Sequence, residues 1–253
     1  MLRKRLIPLL QILDGSLVKT CRFRDPVYLG DPTNSSRIFN ELYADELIVM
    51  DISESRNRRW NSIDFDLLES LAGECFMPIT YGGKIKSVED ATRVVRLGIE
   101  KISINSGVFE NPQLISEISN ELGSSSTVIS VNVKYNKFKE KFIVFSNAGK
   151  RATGYEAVEW IEKCIQLGAG EILLTDINRE GTWLGMNQKF VELAQRVTEI
   201  PIILAGGTSS YAEAASILNH DFVSGLGLGN LVSFHKKDSG VLINYPKEGI
   251  IKD

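Results

Sequence analysis

Eight short apolar runs, each bounded by turn residues and separated by helical patterns, constrain this chain more than any other feature. They are Leu6–Leu10, Glu46–Asp51, Pro78–Tyr81, Lys101–Asn105, Val128–Val133, Glu171–Asp176, Pro201–Ala205 and Phe222–Leu226. Between them, ATRVVRLGI, PQLISEISNEL, AVEWIEKCIQLG and NQKFVELAQRV repeat apolar residues at three and four, and Gly98 and Gly168 stand where helix C-caps belong. Strand–helix alternation is the pattern of a parallel sheet. Eight such units in 253 residues predict one closed α/β domain, a (β/α)8 TIM barrel. After Gly229 the chain reads NLVSFHKKDSGVLINYPKEGIIKD, which lacks a helical period, so the eighth helix is expected to be atypical or missing.

The two halves echo one another. Asp51 and Asp176, each closing an apolar run, are 125 residues apart; Gly82-Gly83 and Gly206-Gly207 are 124 apart. Asn105 and Asn230 are 125 apart, and Gln11 and Asn132, each within an early strand, are 121 apart. A period this long points to a duplicated half-barrel and not to a solenoid. The expected division is 1–122 and 123–234, followed by a non-helical tail, 235–253.

Composition narrows the function classes. A net charge of −3 and 24% charged residues give no electrostatic case for nucleic acid or an acidic membrane. No run of about 18 apolar residues is present, so no membrane span is expected. The start MLRKRLIPLLQILDG resembles a signal peptide briefly, but the apolar run breaks at Gln11 and Asp14 and reads better as a buried first strand. Cys21, Cys75 and Cys164 have no paired spacing, and His220 and His235 are the only histidines. Reduced thiols, a cytoplasmic location and no metal or other cofactor are therefore expected.

In β/α barrels the C-terminal strand ends carry the chemistry. Gly82, Gly83, Gly206 and Gly207 lie after the third and seventh strands, where bare backbone N–H groups can approach an anion. Asn105, Ser106, Gly229 and Asn230 lie after the fourth and eighth and can add donors. Two such cradles at one mouth suit a ligand with a phosphate at each end. The plainer alternative is that the glycines only permit tight turns.

MLRKRLIPLL, DELIVMDI, GIEKISINSGVFENPQLI and GAGEILLTDINREGT resemble the cyclase subunit of imidazole glycerol phosphate synthase over about residues 1–234. The resemblance implies a barrel that consumes ammonia supplied by a separate glutaminase docked at the N-terminal face. Ammonia travels along the axis to a bisphosphate, which is closed to an imidazole. It places a charged gate at Arg5, Glu46, Lys101 and Glu171, at the starts of strands; a solvated rim is the alternative. The family's general acid and base positions fall on Gln11 and Asn132. A carboxamide cannot exchange protons near neutral pH, and losing one such group typically costs about 10²–10⁴ in rate. Asp14, Asp51, Asp176 and Glu180 are the carboxylates available near the same mouth. Lys84 replaces a third glycine. Lys19 matches an active-site loop lysine that either contacts ligand phosphate or faces water.

VKTCRF, YLGDPTNSSRIFNELYADEL, GECFMPITYGG and VLINYP look like a side branch encoded with surface-polysaccharide genes. That branch is associated with a glutaminase and an ATP-using enzyme that turns an acetamido sugar into an acetamidino sugar. None of the three cysteines sits in a nucleophile elbow, so the chain needs a glutaminase partner, for which Glu100 is a candidate contact. The expectation is a cyclase-like synthase subunit redirected to amidination. Its rivals are a working histidine-pathway cyclase and a non-catalytic scaffold that activates its glutaminase.

Overall fold

The computed structural model describes residues 3–53, 62–197, 199–234 and 240–246. The first half of the chain runs β1 (Arg5–Leu13), β2 (Ser16–Cys21), β3 (Arg24–Gly30), α1 (Pro32–Glu41), β4 (Leu47–Asp51), α2 (Phe65–Glu74), β5 (Ile79–Gly82), α3 (Val88–Arg96), β6 (Lys101–Ile104), α4 (Gly107–Glu110) and α5 (Leu114–Leu122). A 3-10 turn, Ser124–Ser126, leads into the second half. There follow β7 (Thr127–Asn136), β8 (Lys141–Ser146), β9 (Arg151–Glu156), α6 (Ala157–Gln166), β10 (Glu171–Asp176), α7 (Gln188–Gln195), β11 (Ile202–Ala205), α8 (Tyr211–Leu218), β12 (Gly225–Leu228) and α9 (Asn230–Ser233).

Eight strands pair in parallel in the order β1-β4-β5-β6-β7-β10-β11-β12, and β12 returns to β1. The sheet closes, so no barrel strand is left with an open edge. Every predicted apolar run is a barrel strand. The eighth is displaced: it begins at Gly225, and Phe222 instead stacks on His220 at 5.1 Å between centroids. Glu46 precedes β4 and does not belong to it.

Along each strand, alternate side chains divide between two cores. Leu47, Val49, Ile172, Leu174, Ile202 and Leu204 belong to the large cluster shared with the surrounding helices. Ile7, Ile48, Val128, Leu173 and Ile203 form a separate cluster on the axis. The helices bury one face against the first cluster. In α3, Ser87 caps the Asp90 N–H, acids occupy the first turn and arginines the last, and Ala91 and Val94 face inward. Gly98 and Gly168 follow α3 and α6 with φ of 100° and 103°, conformations that glycine adopts without a Cβ penalty.

Two hairpins were not anticipated. β2 and β3 fold back after β1, and β8 and β9 fold back after β7, each attached antiparallel to its barrel strand. Both overhang the C-terminal end of the barrel. The eighth helix is one turn, α9, after which Phe234 bridges to Val241. Tyr245 then enters the core beside Phe39, donating its hydroxyl to Leu6 O at 3.0 Å and accepting from Asp45 N at 3.3 Å. His235 and most of the 235–253 tail lie outside the described residues. Among the described residues no helix is long and apolar enough to cross a membrane, and no acid, His and Cys group could hold a metal.

Backbone proximity, and not flexibility, explains Gly170: a Cβ there would lie 2.0 Å from Ser124 O. Gly170→Ala is expected to lower the unfolding free energy by about 1–3 kcal/mol, measured by urea denaturation, because β10 must retreat from the 3-10 turn.

Candidate functional site

At the N-terminal end of the barrel, Arg5, Glu46, Lys101 and Glu171 converge on the axis. Arg5 donates to Glu46 at 2.6 Å and to Glu171, while Lys101 donates to Glu171 at 2.8 Å and to Glu46 at 3.3 Å. Each cation therefore bridges both acids. Thr80 Oγ1 adds a donor to Glu46 at 2.9 Å, and Ser224 Oγ accepts from Arg5 at 3.2 Å. Burial opposes the Arg5 charge, but Glu171 and then Glu46 outweigh it and hold the guanidinium above its ordinary pKa. Neither acid is solvated: the side chains of Glu46 and Glu171 are only 3% and 5% exposed. A solvated rim is excluded by this geometry. Glu100, at the same end, accepts from Ile79 N at 2.8 Å.

Above the ring the axis is filled by Ile7, Ile48, Val128, Leu173, Ile203 and Ala205, with Leu9 and Met50 against them. A cavity of about 620 Å³ begins on the upper side of this layer, with Leu173, Ser103, Ser130 and Thr175 among its lining.

Gln11 and Asn132 both line that cavity and both are buried. The Gln11 carboxamide oxygen accepts from Lys19 Nζ at 3.2 Å, Thr20 N at 3.0 Å and Thr20 Oγ1 at 3.1 Å. Asn132 Oδ1 receives Ser130 Oγ at 3.4 Å. Lys19 lies in β2, not in a loop, and its ammonium is paired with Glu180, so it does not face water. Glu180 also accepts from Thr20 Oγ1 and from Phe23 N, each at 3.0 Å. Asp51 is the counterpart across the mouth: it takes Lys84 Nζ at 2.7 Å and Ser53 N at 2.9 Å. Both of these mouth carboxylates thus carry a lysine. Glu110, also on the lining, is exposed.

Two of the carboxylates expected near the mouth, one of them expected to line it, are absent from the cavity lining. Asp14 sits in the β1–β2 turn and is exposed. Asp176 is wholly buried, with Oδ1 accepting from Asn178 N at 2.9 Å and Oδ2 lacking a partner. Thr175, its neighbour in β10, lines the cavity instead. Burial pushes the Asp176 carboxyl up to about 6.

The glycine pairs were aligned one residue out of step. β5 ends at Gly82 and β11 at Ala205, and added Cβ atoms at Gly83 and Gly206 would each lie 2.6 Å from the carbonyl oxygen of Asp51 and Asp176. Gly83 therefore corresponds to Gly206, and Lys84 to Gly207. Gly82 is inside the sheet and does not line the cavity, whereas Gly83, Gly206, Gly207 and Gly229 do. The loops also differ in how their polar atoms are used. Asn105 Nδ2 donates to Ser130 O at 2.8 Å, and Ser106 Oγ donates to Asn105 Oδ1 and accepts from Asn147 N. Asn230 Nδ2 is committed to Gly181 O at 2.8 Å, but its oxygen and the hydroxyl of Thr208 are buried without partners. Sequence reasoning missed Thr208, the Lys84–Asp51 pair and the hairpin residues Phe23, Pro26 and Asn147 on the rim.

The closed β/α barrel thus carries a charge-balanced ring on its axis at one end and a polar cavity at the other. Comparison with known proteins gives the family. Residues 5–238 match the model of the histidine biosynthesis protein family, and the chain belongs to it, within its imidazole glycerol phosphate synthase HisF-like members. It is 41% identical over 247 residues, 97% of both chains, to a Pseudomonas aeruginosa protein provisionally named imidazole glycerol phosphate synthase subunit hisF2. It is 39% identical over 246 residues, 97% of this chain and 94% of the other, to a Vibrio vulnificus protein provisionally named subunit hisF3. Imidazole glycerol phosphate synthase subunit HisF of Exiguobacterium sibiricum is 37% identical over 215 residues, 85% of each chain.

Because Asp176 holds its proton more tightly folded than unfolded, its burial is least costly at low pH. That advantage is lost as pH rises from about 4 through about 6. Asp176→Asn is expected to remove this dependence and to gain about 3 kcal/mol at pH 8 relative to pH 4, read from urea midpoints of both proteins.

Proposed function

We propose that this chain is the ammonia-using synthase subunit of a two-chain glutamine amidotransferase that adds nitrogen to a phosphorylated small molecule without closing an imidazole ring. One juxtaposition carries the reading: a desolvated ring of two cations and two acids at one end of the axis, and two carboxamides at the other. Arg5, Glu46, Lys101 and Glu171 are the gate. Ammonia, being neutral, can cross the apolar layer above them, where ammonium would be too costly to desolvate. The glutaminase docks on the N-terminal face, where Tyr43 and Phe76 stand 88% and 93% exposed on loops preceding β4 and β5. Gly83, Asn105, Ser106, Gly206, Gly207, Gly229 and Asn230 frame the phosphate loops, Asn105 and Asn230 through main-chain groups, since their side-chain amides are committed.

Gln11 and Asn132 offer hydrogen bonds to a neutral polar substituent but cannot shuttle its protons. The finer reading is amidination of an acetamido sugar for surface-polysaccharide synthesis, with an ATP-dependent sugar-amidating enzyme as a further partner. It rests on the two amides and on the side-branch motifs in the first hairpin, at GECFMPITYGG and at VLINYP.

A second reading has its own support. Glu180 shares Lys19 and Thr20 with Gln11, so it can stand in for the missing acid of a histidine-pathway cyclase; the Exiguobacterium relative is named an imidazole glycerol phosphate synthase subunit.

Assaying the purified chain with the family's bisphosphate substrate and excess ammonium separates the two. The expected outcome is negligible turnover, raised by about 10²-fold or more in the double variant Gln11→Asp, Asn132→Asp. Robust turnover by the unaltered protein, abolished by Glu180→Gln, decides for the cyclase.

A further inference from the structure

The two hairpins overhanging the mouth enclose a second concavity, of about 270 Å³. Arg22 and Phe23, in the β2–β3 turn, and Arg24, which opens β3, form one wall; Lys134, Phe145 and the Ala148–Lys150 turn form the other. No acidic residue lines it. Among the described residues Arg22, Arg24 and Lys134 take part in no ion pair, although the chain as a whole is acidic. Lys134 is held in place: its ammonium donates to Gly149 O at 2.8 Å and lies 4.3 Å from the centre of the Phe145 ring. Burial, and then the nearby Arg24 charge, lower its pKa below the ordinary lysine value.

The walls are the tips of the two hairpins: Arg22, Phe23, Asn147 and Ala148 adopt φ of 55°, 59°, 51° and 51°, the positive values that tight hairpin turns require. The concavity is smaller than the roughly 300–1,000 Å³ of sites that enclose whole ligands, so it suits one charged group. Phe23, Ala148 and Lys150 line both this concavity and the axial cavity, making the two contiguous.

We propose that this cleft is an oxyanion subsite that takes a phosphate or diphosphate group, held by Arg22, Arg24 and Lys134, of a ligand whose remainder reaches into the axial cavity. It lies apart from the glycine loops at the strand ends and adds an anionic group to the ligand beyond any those loops hold. It does not depend on the ammonia reading.

Calorimetric titration of the full chain with inorganic diphosphate tests the subsite. One saturable site is expected, weakened about tenfold or more by Arg24→Gln and by Lys134→Gln, and retained by Lys134→Arg. Lys141→Gln, which removes a cation elsewhere on the second hairpin, should alter affinity by no more than about twofold. If Lys134→Gln fails to fold, the exposed Arg22→Gln and Arg24→Gln variants carry the test. The proposal is overturned by unchanged affinity in Arg24→Gln, by a loss produced by Thr208→Val while Arg24→Gln binds normally, or by no saturation up to about 10 mM diphosphate. Failure of the ammonium assay would leave this result standing, and the reverse also holds.

Discussion

Closure of the sheet is the constraint from which the rest follows. Once β7 pairs with β10 and β12 with β1, every second side chain on eight strands is committed to a narrow axis with almost no water. Charges at such positions must meet opposite charges or be expelled. Arg5, Glu46, Lys101 and Glu171 meet, each cation touching both acids, and Thr80 and Ser224 supply further bonds. A ring of this kind is weak evidence of stabilisation, because an apolar layer would cost less to bury. The ring lies directly below a layer of isoleucine, valine and leucine.

The mouth shows the same physics with a different outcome. Its two lysine-bearing carboxylates, Asp51 and Glu180, are each neutralised, by Lys84 and Lys19. The Gln11 oxygen collects three donors, one of them from the lysine that Glu180 holds. A carboxylate at that position would put a second negative charge on one ammonium. The amide therefore fits its electrostatic surroundings, and the polarity of the cavity is largely dipolar.

Strand–helix alternation made the barrel legible in the sequence, since period and turn residues report local structure directly. The convergence of the four axial charges was legible because strand starts fix both position and parity. Other features depended on information that apolar patterning does not carry. Asp51 and Asp176 both close a barrel strand, yet only Asp51 lines the cavity. The glycine pairs were matched by identity; backbone register moved Gly82 into β5 and set Lys84 opposite Gly207. The first hairpin did leave a signal, the Asp14-Gly15 turn between apolar stretches. The Lys19–Glu180 pair joins residues 161 apart in sequence, and no local pattern announces it.

Tyr245 joins the last described segment to the first strand. Its phenol grips the main chain at Leu6 and Asp45, the immediate neighbours of Arg5 and Glu46. The C-terminal strap is thereby mechanically linked to the axis entrance, and whatever pulls on that strap, such as a bound protein or a fused tag, tugs at half of the charged ring.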